Sequence, residues 1–384
     1  MPTLWPHVPS EFRETLETFT DVRRTQTGEF RDSLKDPTQI FTLSHSFLDA
    51  EAARADGLYR SNPTGTWYVP VWCDATRFVG TITSGATSIS VETDADYRAG
   101  GKAVVLLSDQ VAEVVDVSSA SGGTLNLSGG VSRTYVGTAG LPVIVAPVRT
   151  CYAPAGFDRS DVYGLATMSI RFIATDNTDL AAAIYPTHRT YDVVTDISVV
   201  FSALQGGMSQ AVDFIDNGFG TYDVETLETY SRARGTLALV DVSYTDRHAQ
   251  RTWLHRARGR DRPFWISTWK NDLPLRDAVT AVATSIKVQK TTPTLSEMVG
   301  RSIQFRLTDG TLIQRQVTGA AAVGGDGTSM FLTISATGQA VPTSAVVSLL
   351  TLVRFDTDQI ELTHMNTGDG FLTHFSAPVL EVAA

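Results

Sequence analysis

Two stretches of this chain are near-copies of each other at matched spacing, and any fold has to accommodate that repetition. ATSISV begins at Ala86, fourteen residues after Trp72, and ATSIKV begins at Ala283, fourteen residues after Trp269. Self-similarity of this kind marks a structural unit used twice. The agreement extends upstream. TWYVPVWCD (66–74) matches PFWISTWKND (263–272), which sets Trp67 against Phe264, Tyr68 against Trp265, Val69 against Ile266 and Trp72 against Trp269. Farther back, Phe19 and Asp21 of FTD correspond to Phe214 and Asp216 of FID.

Each aromatic run follows an alternating segment and then a helical one. TQIFTLSHS leads into SFLDAEAARADGLYR, and TLALVDVSY leads into TDRHAQRTWLHRAR. Leu48, Ala52, Ala55 and Tyr59 recur at helical spacing and predict one apolar stripe. Thr245 and Asp246 predict the start of the second helix. After the repeated hexapeptide, KAVVLL, VAEVVDV and TLNLS in one copy, and RSIQFRL, LIQRQV and FLTIS in the other, read as short strands. Glycine-rich turns such as SASGG and AVGGDG separate them, as hairpins require. Each set closes on a valine-rich strand and an arginine, VIVAPVR and VVSLLTLVR. Alternation then resumes in GLATMSIRFIATDN (164–177) and GFLTHFSAPVLEV (370–382), while YPTHRTYDVVTDISVVF (185–201) opens the second half.

The expected fold is mainly β (α+β): an internally duplicated β-sheet-plus-helix frame, each copy carrying an inserted small β-barrel or β-sandwich module. Short strands left with open edges favour such closure. The boundaries fall at 1–75 (first frame, part a), 76–149 (first module), 150–180 (first frame, part b), 181–273 (second frame, part a), 274–352 (second module) and 353–384 (second frame, part b). A chain of 384 residues is long enough for several cores.

Charge narrows the function. With 31 Lys+Arg against 41 Asp+Glu, the net charge of -10 argues against an extended nucleic-acid footprint, which needs clustered positive charge. MPTLWPHVPSEFRETLE lacks the basic start and apolar core of a signal peptide, and no run approaches the roughly 20 apolar residues of a membrane span. A soluble product made in the cytoplasm is expected. Cys73 and Cys151 flank the first module; two cysteines exclude a disulfide scaffold or four-cysteine metal site. An insert leaves and re-enters its host at neighbouring points, so the two thiols could lie close, but buried free thiols are expected.

Trp67, Tyr68, Trp72, Phe264, Trp265 and Trp269 could form a sugar-stacking platform or a strand buried on both faces in each frame. Their recurrence at one structural place favours the frame. In the basic run HRARGRDR (255–262), Arg256, Arg258 and Arg260 are candidate inter-subunit contacts, because arginine pairs bidentately with carboxylates; a solvated helix end is the plainer reading. ETDADY (92–97) resembles the start of a calcium loop without its later glutamate and glycine, and GGDGTS reads as a hairpin turn. The histidines His7, His45, His188, His248, His255, His364 and His374 form no zinc signature, and no GxSxG elbow occurs. No catalytic residue, cofactor or metal is expected.

ARGRDRPFWISTWKNDL (257–273), and TGTWYVPVWCDATRF followed by GATSISVETDADYRAGGKAVV, resemble stretches of tail-tip proteins of long-tailed bacteriophages and gene transfer agents. The resemblance is to distal tail and baseplate hub proteins, and implies a virion protein assembled in the host cytoplasm that forms a ring around the DNA channel. Its implied partners are itself, the tail tube protein, the hub or spike, and fibre proteins, with DNA only in transit. Two frames per chain favour a trimer with pseudo-six-fold symmetry over a hexamer. The alternative function is a carbohydrate-binding host-adhesion protein; a glycan-cleaving enzyme lacks any motif.

Overall fold

Alternation of apolar and polar residues puts EFRETLETF into an extended strand, since successive side chains of a strand point to opposite faces. A computed structural model of the chain describes residues 2–25, 28–93, 96–175, 181–196, 207–209, 212–216, 218, 220, 222–226, 232–241, 243–291, 295–324, 326–366 and 371–382. They are mainly β, with two α-helices among them.

In the first half, β1 (Thr3–Leu4), β2 (Glu11–Thr25) and β3 (Gly28–Leu48) lead to α1 (Asp49–Ser61) and β4 (Thr66–Pro70). Short strands over 76–137 follow, then β5 (Val143–Tyr152), β6 (Phe157–Val162) and β7 (Leu165–Ala174). In the second half come β8 (Tyr191–Val193), β9 (Gly207–Ser209), β10 (Arg232–Asp241), α2 (Tyr244–Ala257) and β11 (Phe264–Ser267). Short strands over 285–333 precede β12 (Val346–Phe355), β13 (Gln359–Asn366) and β14 (Phe371–Glu381).

Eight antiparallel strands lie side by side in the order β6–β7–β3–β2–β13–β14–β10–β9. The two halves meet at its centre, where β2 pairs with β13 from Glu11↔Met365 to Glu17↔Gln359. Beside this row, β4 runs between β1 (parallel) and β5 (antiparallel), with Trp67 opposite Cys151. Likewise β11 runs between β8 (parallel) and β12 (antiparallel), with Phe264 opposite Val353. β5 reaches β7 at Cys151↔Ala174, and β12 reaches β14 at Val353↔Glu381.

β5 and β12 each pair with two sets of strands. Val143–Val148 pair with strands at 76–78 and 102–108, whereas Val148–Tyr152 pair with β4. Val346–Leu350 pair with Ser302–Arg306, and Leu350–Val353 with β11. The expected boundaries at 149/150 and 352/353 therefore fall inside continuous strands. The apolar residues segregate accordingly. Ile82, Ile89, Val105, Leu125 and Val145 share one core, and Ile286, Phe305, Met330 and Val347 share another. Trp5, Phe41, Trp67 and Phe172 form a third, and Leu239, Trp253, Phe264 and Phe375 a fourth.

Of the stripe predicted for α1, Ala52 and Ala55 are buried and Tyr59 stacks on Trp67 at 5.8 Å between ring centroids. Leu48 instead sits at the N-cap and is exposed, its N–H donating to Glu51 Oε2 at 3.1 Å. α2 is capped by Ser243, whose hydroxyl accepts from the Asp246 N–H at 3.0 Å. It is buried along much of its circumference, including Arg247, Gln250, Arg251, Trp253 and Leu254. Both cysteines are buried, and they are not joined in a disulfide. Among the described residues no helix is long and apolar enough to cross a membrane.

Candidate functional site

Phe12, Glu14 and Leu16 share one face of β2, and all three are buried. A carboxylate on an apolar face needs compensating partners, because burying an unpaired charge is prohibitive. Glu14 accepts from Arg251 Nε at 2.9 Å and from Gln39 Nε2 at 2.6 Å. The same guanidinium, projecting from α2, donates to Asp74 Oδ2 at 2.7 Å and lies 2.9 Å from Cys73 Sγ. One turn earlier, Arg247 donates to Thr373 Oγ1 at 2.8 Å and to the Cys73 carbonyl. Arg149 on β5 donates to Asp96 and, at 3.3 Å, to Gln39 Oε1. His364 on β13 completes the cluster, with Nδ1 2.7 Å from Thr373 Oγ1 and Nε2 3.5 Å from Glu14.

Burial alone would raise the Glu14 pKa, but Arg251, His364 and Gln39 hold it well below the usual carboxylate range. Burial also opposes ionisation of Asp96, and Arg149, Arg251 and Arg98 overcome it. Burial pushes the Cys73 thiol up, so it stays protonated. His364 is pulled down by burial, with Glu14 opposing.

The donor atoms of Glu14, Cys73 and His364 lie within 4.8 Å of one another, a spacing that suits a metal ion. The Arg251 guanidinium already sits on Glu14 and Cys73, placing a positive charge where a cation would bind, so the residues do not fit one. One cleft is lined by Asp192, Trp253, Arg256 and Phe264, another by His7, Phe47, Glu51 and Asp109, and neither includes a member of the buried cluster. The cluster spans both halves: Glu14, Asp74, Asp96 and Arg149 come from the first, Arg247, Arg251 and His364 from the second. Buried ion clusters of this kind fix one mutual arrangement of the parts they connect.

No protein-family model matches the chain, and no curated protein matches it.

The aromatic residues expected at this place divide. Trp67, Trp72, Phe264 and Trp265 are buried, while Tyr68 and Trp269 are half-buried. Trp67 meets Trp5 edge-on at 5.7 Å, and Phe264 meets Trp253 at 5.1 Å. Trp265 Nε1 donates to the His188 carbonyl at 2.8 Å. Buried rings offer no face to a sugar. Trp269 differs: its backbone is left-handed (φ 56°), and the Arg306 guanidinium lies 5.9 Å from its ring centroid.

Three of the four arginines of the basic run, those singled out as candidate contacts, have partners within the chain. Arg256 Nε binds Asp192 at 3.0 Å, Arg258 binds Asp36 of the first half at 3.1 Å, and Arg260 Nη2 donates to the Asp356 carbonyl at 3.0 Å. In ETDADY, Asp96 belongs to the buried network, and Asp94 lies outside the described residues. GGDGTS forms a turn that sets Val323 opposite Asp326, with Gly325 outside the described residues. Burial lowers His45 and His255 to about 4, so both are neutral core rings.

Asp241, at the end of β10, has a buried Oδ2 without a hydrogen-bond partner among the described residues. Burial, with Asp246 and Asp196 nearby, pushes its pKa up to about 7. A carboxyl raised on folding costs stability above its unfolded value near 3.8, increasingly until pH passes the folded value. Asp241→Asn is therefore expected to stabilise by roughly 1–3 kcal/mol at pH 8. In denaturant melts the gain should shrink between pH 7 and pH 4; a gain independent of pH would contradict the assignment.

Proposed function

We propose that this chain is a structural protein of the tail tip of a long-tailed phage or gene transfer agent, built from two copies of one frame that each carry an inserted β-module. It forms a ring, as hub or distal tail component, which joins the tail tube to the central spike and peripheral fibres around the DNA channel. The observation that carries this reading is the edge-to-edge joint of the two halves, β2 on β13, within one continuous row of strands.

Further support comes from the order of pairings. In each half a helix connects two strands, the second lying between a short parallel partner and a long antiparallel one that ends in the pairing with β7 or β14. Separate apolar cores at 78–145 and 273–347 fit inserted modules that project from the frames. One joint made between equivalent units, then repeated, closes a circle. A chain of net charge -10 suits passage of DNA without adhesion, since like charges repel.

Mass measurement of the assembled particle tests the reading. Three chains, giving six frames, are expected; six chains would replace the trimer by a hexamer of twelve frames. Single chains at every concentration and in the presence of the tail tube protein would overturn the ring.

A further inference from the structure

This inference rests on the ring reading and names the surfaces that close it. The hydrogen-bond ladders give a residue-by-residue correspondence between the halves. Trp67 pairs with Cys151 and Cys151 with Ala174; Phe264 pairs with Val353 and Val353 with Glu381. One step along, Ile173 pairs with Ile40 and Ile40 with Thr15, while Leu380 pairs with Arg234 and Arg234 with Gly207. Thr15 of β2 therefore corresponds to Gly207 of β9. By the same route Arg159 of β6, opposite Met168, corresponds to Leu362 of β13, opposite Phe375.

Within the chain, the outer edge of β2 is covered by β13. The corresponding edge of β9 and the corresponding outer edge of β6 carry no strand among the described residues, and they end the row at opposite sides. Their side chains agree. Leu16 is 3% exposed and packs into the core of the second half. Its counterpart Met208 is 70% exposed. On β6, Asp158 through Val162 are exposed, whereas Ile360 and Leu362 on β13 are buried.

The helices repeat the asymmetry. Tyr244 and Arg251 of α2 contact Ala75 and Asp74 just after β4, and those contacts bury that face. The corresponding residues of α1 are Asp49 and Asp56; Asp49 is exposed, and Asp56 is held by Arg159 of β6. The stretch corresponding to 73–75 is 270–272, where Lys270 is exposed. The helix charge is exchanged, arginine at the inner joint and aspartate at the free end, while the facing stretch changes from Cys73, Asp74 and Ala75 to Lys270, Asn271 and Asp272. A free end that matched the inner surface in charge would compete with it, and the exchange prevents that.

We infer that a second copy of this chain docks here: β9 of one copy pairs antiparallel with β6 of the next, Gly207 opposite Asp158 and Met208 opposite Phe157, while Lys270 and its neighbours meet the exposed face of α1. Thr15↔Glu361 and Leu16↔Ile360 set that register at the inner joint. Met208 then fills the place beside Phe157 that Leu16 fills beside Ile360.

The test is the double variant Asp158→Cys/Gly207→Cys in the full chain, oxidised after assembly. Both positions are exposed, nothing lies within 4 Å of a Cβ added at Gly207, and the native thiols are buried. The two sites sit at opposite ends of the strand row, so a disulfide between them links different copies. Expected on non-reducing gels is a ladder ending at the ring's own copy number, absent from each single variant and weaker for Val162→Cys/Gly207→Cys. Met208→Asp should weaken assembly at least about tenfold while leaving the circular dichroism of the isolated chain unchanged. Rings by mass without the 158–207 link would overturn this interface and leave the ring reading standing. Single chains throughout would overturn both.

Discussion

Arg251→Met is expected to lower the free energy of unfolding by about 3–5 kcal/mol at pH 7, because removing one partner of a buried ion cluster leaves the others uncompensated. The guanidinium serves Glu14 and Asp74, carboxylates that are both fully buried, so its loss leaves Glu14 to Gln39 and His364 and Asp74 to Arg247 at 3.7 Å. Methionine keeps the unbranched stem and removes only the charge and donors. Equilibrium denaturation reads the loss, and a change below about 1 kcal/mol, as for an exposed ion pair, would refute the role. The deficit also has a pH signature. Glu14 is depressed below its ordinary 4.5 in the wild type, so its contribution is present above that value and disappears as pH falls. The gap between wild type and variant should therefore narrow below about pH 4.5.

Trp67→Ala is expected to cost a similar amount, about 3–5 kcal/mol, by the lost transfer energy of the ring and the cavity left behind. Trp67 is fully buried among Trp5 just after β1, Tyr59 of α1 and Phe172 of β7, so the site cannot collapse by moving one side chain. Trp269→Ala provides the contrast. That ring is half-buried and meets Arg306 only at cation–π range, so a change of about 1 kcal/mol or less is expected in the isolated chain. Equal losses at the two positions would mean that Trp269 packs into the frame as firmly as Trp67 does.

Much of the fold was legible because it is written in short-range periodicity. TWYVP and FWIS are strands, the segments from Asp49 and Tyr244 are helices, and the alternating runs pair, 40–48 with 165–173 and 234–241 with 373–380. What could not be read is what depends on separation in sequence. Glu14 and Arg251 are 237 residues apart, and no local pattern connects them. A trace of the site was nevertheless present. Glu14 interrupts the apolar face of Phe12 and Leu16, and His364 continues the face of Ile360 and Leu362, which are all buried. A charge that breaks an otherwise apolar stripe announces a hidden partner without naming it. The basic run drew attention instead because it is contiguous, yet Arg256, Arg258 and Arg260 settle on Asp192, Asp36 and the Asp356 carbonyl inside the chain.

β5 and β12 run unbroken from the strands of 76–108 and 302–306 to β4 and β11 beside the central row, hydrogen-bonded to one set at their first residues and to the other at their last. A tug on one set is thus delivered along a continuous backbone, in shear against many hydrogen bonds at once. Such a molecule behaves as a bracket: whatever turns one set of strands also turns the other.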